Sequence, residues 1–136
     1  MKLDDKTLHN FFTFLKDREG LNFPFIYKLV KKIPFTEEEL NVEGSLNFYR
    51  SNITSLPDNL KVGGDLLLPY SPITSLPNNL KVRKHLDLSH TLITSLPDNL
   101  TVGRSLNLSD TPITSLPENL KVGSHLFLIN SNITYI

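Results

Sequence analysis

The sequence contains no cysteine. That absence excludes a disulfide-stapled scaffold, thiolate metal sites and a cysteine nucleophile together. It also has no excess charge of either sign, with 14 Lys+Arg against 14 Asp+Glu. The positive field that draws a protein onto nucleic acid or an anionic membrane is therefore missing, and neither partner is expected. No apolar run is long enough to span a bilayer, and Met1-Lys2-Leu3-Asp4-Asp5 lacks the apolar core of a secretion signal. These absences predict a soluble protein of a reducing compartment, the cytoplasm of the producing cell or of a host. At 136 residues, one continuous core is the natural size.

What the chain does have is self-similarity at a period of twenty residues. Leu56-Pro57-Asp58-Asn59-Leu60 returns as Leu76-Pro77-Asn78-Asn79-Leu80, Leu96-Pro97-Asp98-Asn99-Leu100 and Leu116-Pro117-Glu118-Asn119-Leu120. Ile-Thr returns in the same register at Ile53, Ile73, Ile93, Ile113 and Ile133. Between them runs a Val…Leu-x-Leu element: Val62/Leu66/Leu68, Val82/Leu86/Leu88, Val102/Leu106/Leu108 and Val122/Leu126/Leu128. Leu40, Val42, Leu46 and Phe48 form a first, degenerate copy.

Leu-x-Leu alternates with period two, so both leucines face inward from a half-buried strand. Each strand is followed by the same return path, which makes the sheet parallel. The return carries Leu-Pro, and proline fixes φ and lacks an N–H. This stretch should therefore be extended or polyproline-like, with one tight turn and no α-helix. The apolar burial of one copy does not meet the entropy of ordering it, so the copies should fold only as a stack.

With these residues in register, the motif resembles the bacterial and viral type of leucine-rich repeat. It is similar to the twenty-residue repeats of secreted bacterial effectors, and closer to those of uncharacterised proteins of large phages and giant viruses. The resemblance covers residues 40–136. It implies an α/β solenoid, with a parallel sheet on the concave face and an extended, polyproline-turn convex side. Two departures stand out. Ser51, Ser71, Thr91, Thr111 and Ser131 replace the family's Asn after the strand, which predicts a less rigid ladder. Glu43, Gly63, Arg83, Gly103 and Gly123 replace the leucine that opens the strand motif. Ubiquitin-ligase activity, which some such effectors append, uses a cysteine and does not carry over.

Residues 1–35 read as an N-terminal helical cap, and 36–136 as five repeats forming one continuous domain. Leu8, Phe11, Phe12 and Leu15 fall at helical spacing between Asp4-Asp5 and Gly20. Pro24 opens a second short helix with Ile26, Leu29, Val30 and Ile33 as its apolar positions. Six of the eight phenylalanines lie in this segment, where aromatic packing over the first repeat is expected. Thr36-Glu37-Glu38-Glu39 reads as a capping box around a brief turn. The C-terminal end has no comparable cap. Its open strand edge, with Leu126, Leu128, Ile129, Ile133 and Ile136, predicts end-to-end homodimerisation.

Function should lie where the copies differ at outward positions. Those columns expose Tyr49, Leu67, Tyr70 and Phe127, residue types that anchor interfaces. The third repeat departs most, with Arg83-Lys84 in place of Gly63-Gly64, followed by His85, Asp87 and His90. This cluster is the first candidate for partner binding. His85 and His125 share a column two strands apart, roughly 9–10 Å, too far for one metal ion. Asp65 beside His85 and His90 beside Asp110 could make charge-assisted contacts, but no motif places a nucleophile near them. The sequons Asn52-Ile53-Thr54, Asn99-Leu100-Thr101, Asn107-Leu108-Ser109 and Asn132-Ile133-Thr134 are by-products of the repeat. No metal, cofactor or enzymatic activity is expected.

The leading expectation is a protein–protein interaction module, of the kind a phage, virus or bacterium uses against a host or defence protein. The alternative is an assembly component that associates through its C-terminal edge. Five strands make a sheet about 20 Å wide. A stable interface takes about 800 Å² per partner, so the cap, the loops after the strands or a second protomer should contribute.

Overall fold

From Asn41 to Asn107 each strand residue lies beside the one twenty positions later, because the repeat closes one coil of a solenoid. This emerges in a computed structural model that describes residues 23–133. The first expected helix (Leu8, Phe11, Phe12, Leu15) and Ile136 lie outside the described residues. The chain divides into two units, Met1–Glu39 and Leu40–Ile136.

In the first unit, α1 spans Phe23–Lys31. Pro24 occupies its first turn, where a missing N–H costs nothing. Lys28 and Lys31 sit in the last turn, where cations oppose the helix dipole. The helix ends in a Schellman motif: Ile33 donates its N–H to the Lys28 carbonyl (2.9 Å) and Lys32 donates to Leu29 (3.4 Å). Lys32 takes the left-handed position, with φ 57°, that glycine usually fills. Of the apolar positions expected on this helix, Ile26 and Leu29 are half-buried while Val30 and Ile33 are exposed. The buried side chain is Phe25, whose ring lies 4.8 Å from that of Phe35.

The capping box forms as a closed turn. Thr36 N–H donates to Glu39 Oε1 at 3.0 Å, and Glu39 N–H donates to Thr36 Oγ1 at 3.2 Å. Lys28 Nζ meets the same carboxylate at 2.6 Å. These contacts, the lysine first and then the threonine N–H and hydroxyl, hold the Glu39 carboxyl down at about 2.

In the second unit each coil contributes two strands of two residues. They are β1 (Asn41–Val42), β2 (Leu46–Asn47), β3 (Lys61–Val62), β4 (Leu66–Leu67), β5 (Lys81–Val82), β6 (Leu86–Asp87), β7 (Thr101–Val102), β8 (Leu106–Asn107), β9 (Lys121–Val122) and β10 (Leu126–Phe127). Two parallel sheets result, ordered β1-β3-β5-β7-β9 and β10-β8-β6-β4-β2. Like pairs with like: Val42 opposes Val62, and Leu46 opposes Leu66. The protein is thus a parallel-strand solenoid of stacked coils, with one short helix among the described residues.

The expected single strand per repeat is therefore corrected to two. The backbone bends after each valine, at 63–64 and its equivalents, and turns from one sheet to the other. Glycine is favoured at this corner because a Cβ at Gly63, Gly103 or Gly123 would collide with the carbonyl oxygen one coil earlier. The coils stay bonded through the bend, as when Arg104 N–H donates to the Lys84 carbonyl at 3.0 Å.

The inward columns form the core. Val62, Leu66, Leu68, Ile73, Leu76 and Leu80 of one coil are all buried, as are their equivalents in the next. The return from 71 to 77 has no helix, consistent with its Leu-Pro. The hydroxyls that follow the second strand of each coil bond within their own coil: Ser71 Oγ, Thr91 Oγ1 and Thr111 Oγ1 each donate at 2.7 Å to the carbonyl three residues earlier.

Candidate functional site

A turn follows each strand of the second sheet, and its last residue adopts a left-handed backbone in every coil. Arg50, Tyr70, His90, Asp110 and Asn130 have φ of 54°, 61°, 55°, 57° and 56°. Asp and Asn tolerate this region, whereas for other non-glycine residues it costs roughly 1–2 kcal/mol. The neighbouring coils enforce it. Arg50 N–H donates to Pro69 (3.0 Å), Tyr70 to Ser89 (3.2 Å), His90 to Ser109 (3.1 Å) and Asp110 to Ile129 (2.8 Å).

The side chains of this column touch along the whole stack. The Arg50 guanidinium lies 5.4 Å from the Tyr49 ring centroid and 5.3 Å from that of Tyr70. Tyr49 meets Tyr70 edge to face at 5.9 Å, and Tyr70 stacks on His90 at 4.3 Å and 6°. His90 Nε2 stands 3.3 Å from Asp110 Oδ2, and Asn130 Nδ2 donates to Asp110 Oδ1 at 3.0 Å. Tyr49 and Tyr70 nevertheless remain 53% and 47% exposed, and Leu92, two residues beyond His90, is 56% exposed. The result is a continuous edge of touching side chains whose tyrosines remain about half exposed. Such an edge offers contact area at little entropic cost.

The structure distributes the other candidate residues over three places. Arg83 and Lys84 lie exposed at the corner between the sheets. His85 belongs to a staircase of caps: Asp65 N–H donates to Ser45 Oγ (2.8 Å), His85 N–H to Asp65 Oδ1 (3.0 Å) and Ser105 N–H to His85 Nδ1 (3.3 Å). The Asp65 carboxylate thus bonds the His85 backbone. Asp87 Oδ1 accepts from Ser89 N–H at 2.9 Å and Ser89 Oγ at 2.7 Å, an Asx turn that Asn47 and Asn107 repeat in their own coils. Of the third-repeat cluster, His90 alone stands in the aromatic ladder.

Leu67 is half-buried in β4. Phe127 is 44% exposed, with its ring 6.0 Å from His125. Of the apolar residues expected at the C-terminal edge, Leu126, Leu128 and Ile133 are half-buried and Ile129 is 66% exposed. Arg50 and Asp110 complete the ladder; Asp110 was expected beside His90, and neither was a candidate for partner binding. The usable signal was their register, since Asp110 and Asn130 are αL-tolerant types in the same column as Tyr70 and His90. Among the described residues no three His, Asp or Glu side chains gather as metal ligands. Comparison with protein-family models, curated proteins and solved structures finds no match.

Proposed function

We propose that this chain is a non-catalytic protein-interaction module of the leucine-rich-repeat type, capped by its N-terminal helical segment, and that it binds a partner protein through the turn edge at Tyr49, Arg50, Tyr70, His90 and Leu92. The observation that carries the reading is the pairing of strain with exposure. Tyr70 and His90 hold an unfavourable backbone, and their rings stay at the surface instead of filling the core. Backbone strain concentrates at functional positions. Exposed tyrosine and arginine are also the residue types most enriched at binding hot spots. The twenty-residue resemblance supports a phage, viral or bacterial protein acting on a host or defence protein in the cytoplasm.

The test is affinity capture from the producing or host cells, comparing the natural chain with Tyr70→Gly/His90→Gly. Capture should fall at least about tenfold in the variant, as loss of one hot spot implies. Undiminished capture by a folded variant rejects this edge.

A second reading, self-association, rests on Phe127 and Ile129, exposed apolar residues two positions apart in the same coil. Sedimentation at rising concentration should then show a dimer that Phe127→Glu/Ile129→Glu abolishes. A monomer at every concentration removes this reading.

A further inference from the structure

A second surface lies on a different stretch of each coil and does not depend on the aromatic edge. The first positions of the first sheet read Asn41, Lys61, Lys81, Thr101 and Lys121, in register. Lys61 and Lys81 are directly paired, about 4.8 Å apart at parallel-strand spacing. Like charges so placed repel and destabilise the sheet. No acidic side chain among the described residues pairs with either lysine. Two residues on, Arg83 replaces the glycine that Gly63 and Gly103 keep at the corner. It too has no acidic partner among the described residues. The overall charge balance thus hides a local concentration of positive charge that the fold does not use.

These three cations border a trough of about 420 Å³. Its exposed walls are mostly carbon, contributed by the aliphatic stems of the lysines and the glycine corner, with the valine column buried beneath them. The lining runs from residue 41 to residue 103, four coils, hence about 14 Å along the stack at strand spacing. That length matches about four residues of extended peptide at ~3.3 Å each. Three cations against the single acid Glu43 leave the lining at +2.

We propose that this trough binds a short, extended acidic segment of a partner protein, with carboxylates alternating with aliphatic side chains. Alternate residues of an extended chain face opposite ways. Aliphatic side chains can then enter the carbon-walled trough while carboxylates reach Lys61, Lys81 and Arg83 at its rim. A nucleic-acid strand would satisfy the cations but leave the carbon walls without a matching group.

The experiment titrates the isotope-labelled full chain with the peptide Glu-Leu-Glu-Leu-Glu, blocked at both ends, and follows backbone amide shifts. Parallel titrations use Lys-Leu-Lys-Leu-Lys and a short oligothymidylate. The acidic peptide should shift amides at 61–63, 81–83 and 101–103, and added salt should weaken it. Lys81→Glu/Arg83→Glu should weaken it at least about tenfold. Both positions are exposed, so the fold should survive, and Lys81→Gln/Arg83→Gln checks the effect without reversing charge. Tyr70→Gly/His90→Gly should leave the titration unchanged, which separates failure of this site from failure of the aromatic edge. No shift at millimolar peptide, equal shifts with the basic peptide, or tighter binding of the oligothymidylate overturns the proposal. So does unchanged binding by the charge-reversed variant.

Discussion

Glycine at the corner between the sheets and tyrosine at the turn edge answer opposite demands on the backbone. At Gly103 a side chain has no room, because a Cβ would meet the Arg83 carbonyl oxygen. At Tyr70 the backbone has the φ that glycine prefers, yet a large ring is present. Gly103→Ala should therefore destabilise the protein by about 1–3 kcal/mol, the usual range for forcing extra atoms into a packed site. Gly44→Ala, with nothing within 4 Å of its added Cβ, should stay within about 0.5 kcal/mol. Denaturant titration of the two variants checks the contrast, and equal stabilities would show that the corner relaxes freely. Which corners require glycine was not legible in the sequence, since Glu43 and Arg83 occupy the same column. Close approach between coils depends on local backbone placement, which residue spacing does not encode.

Among the elements, the turn after α1 depends on a single carboxylate. Glu39 accepts from Lys28 and from both donor groups of Thr36, so its folded carboxyl sits near 2 against an ordinary 4.5. A depressed folded value stabilises the turn fully above pH 4.5, and the contribution is lost as pH falls from there toward 2. Amide shifts of Thr36 and Glu39 should hold steady through pH 4.5 and move only nearer pH 2. Glu39→Gln should remove this transition. A titration of Glu39 centred near 4.5 would contradict the bonding described. The capping box itself was legible because both of its bonds lie within four residues. The division of each repeat into two strands was not. Val62, Leu66 and Leu68 share the parity of one continuous strand, and the bend between them leaves that parity intact.

At the scale of the whole molecule, stability is shared along the stack, since a coil of parallel strands bonds only to its neighbours. Leu86, buried with coils on both sides, should cost about 2–5 kcal/mol as Leu86→Ala. Leu126, half-buried in the last described coil, should cost less as Leu126→Ala. Equal losses in thermal denaturation would mean that the terminal coil is buried in solution, as self-association would bury it. The solenoid was legible because its inward columns repeat without interruption from coil to coil. The aromatic edge was only partly so. Tyr49, Tyr70 and His90 stood out as surface residues, but the ladder binds them to Arg50 and Asp110 across coils. Such contacts follow from register and left-handed turns together.

The most direct measurement pairs stability with binding in the variant Tyr70→Gly/His90→Gly. Glycine relieves left-handed strain worth roughly 1–2 kcal/mol at each site and forfeits ring contacts worth about 0.5–1.5 kcal/mol. Folding stability should thus change little or rise, while affinity for the captured partner falls at least about tenfold. A variant that folds less stably and binds unchanged would show that the rings serve the fold, and would contradict the proposed interaction edge.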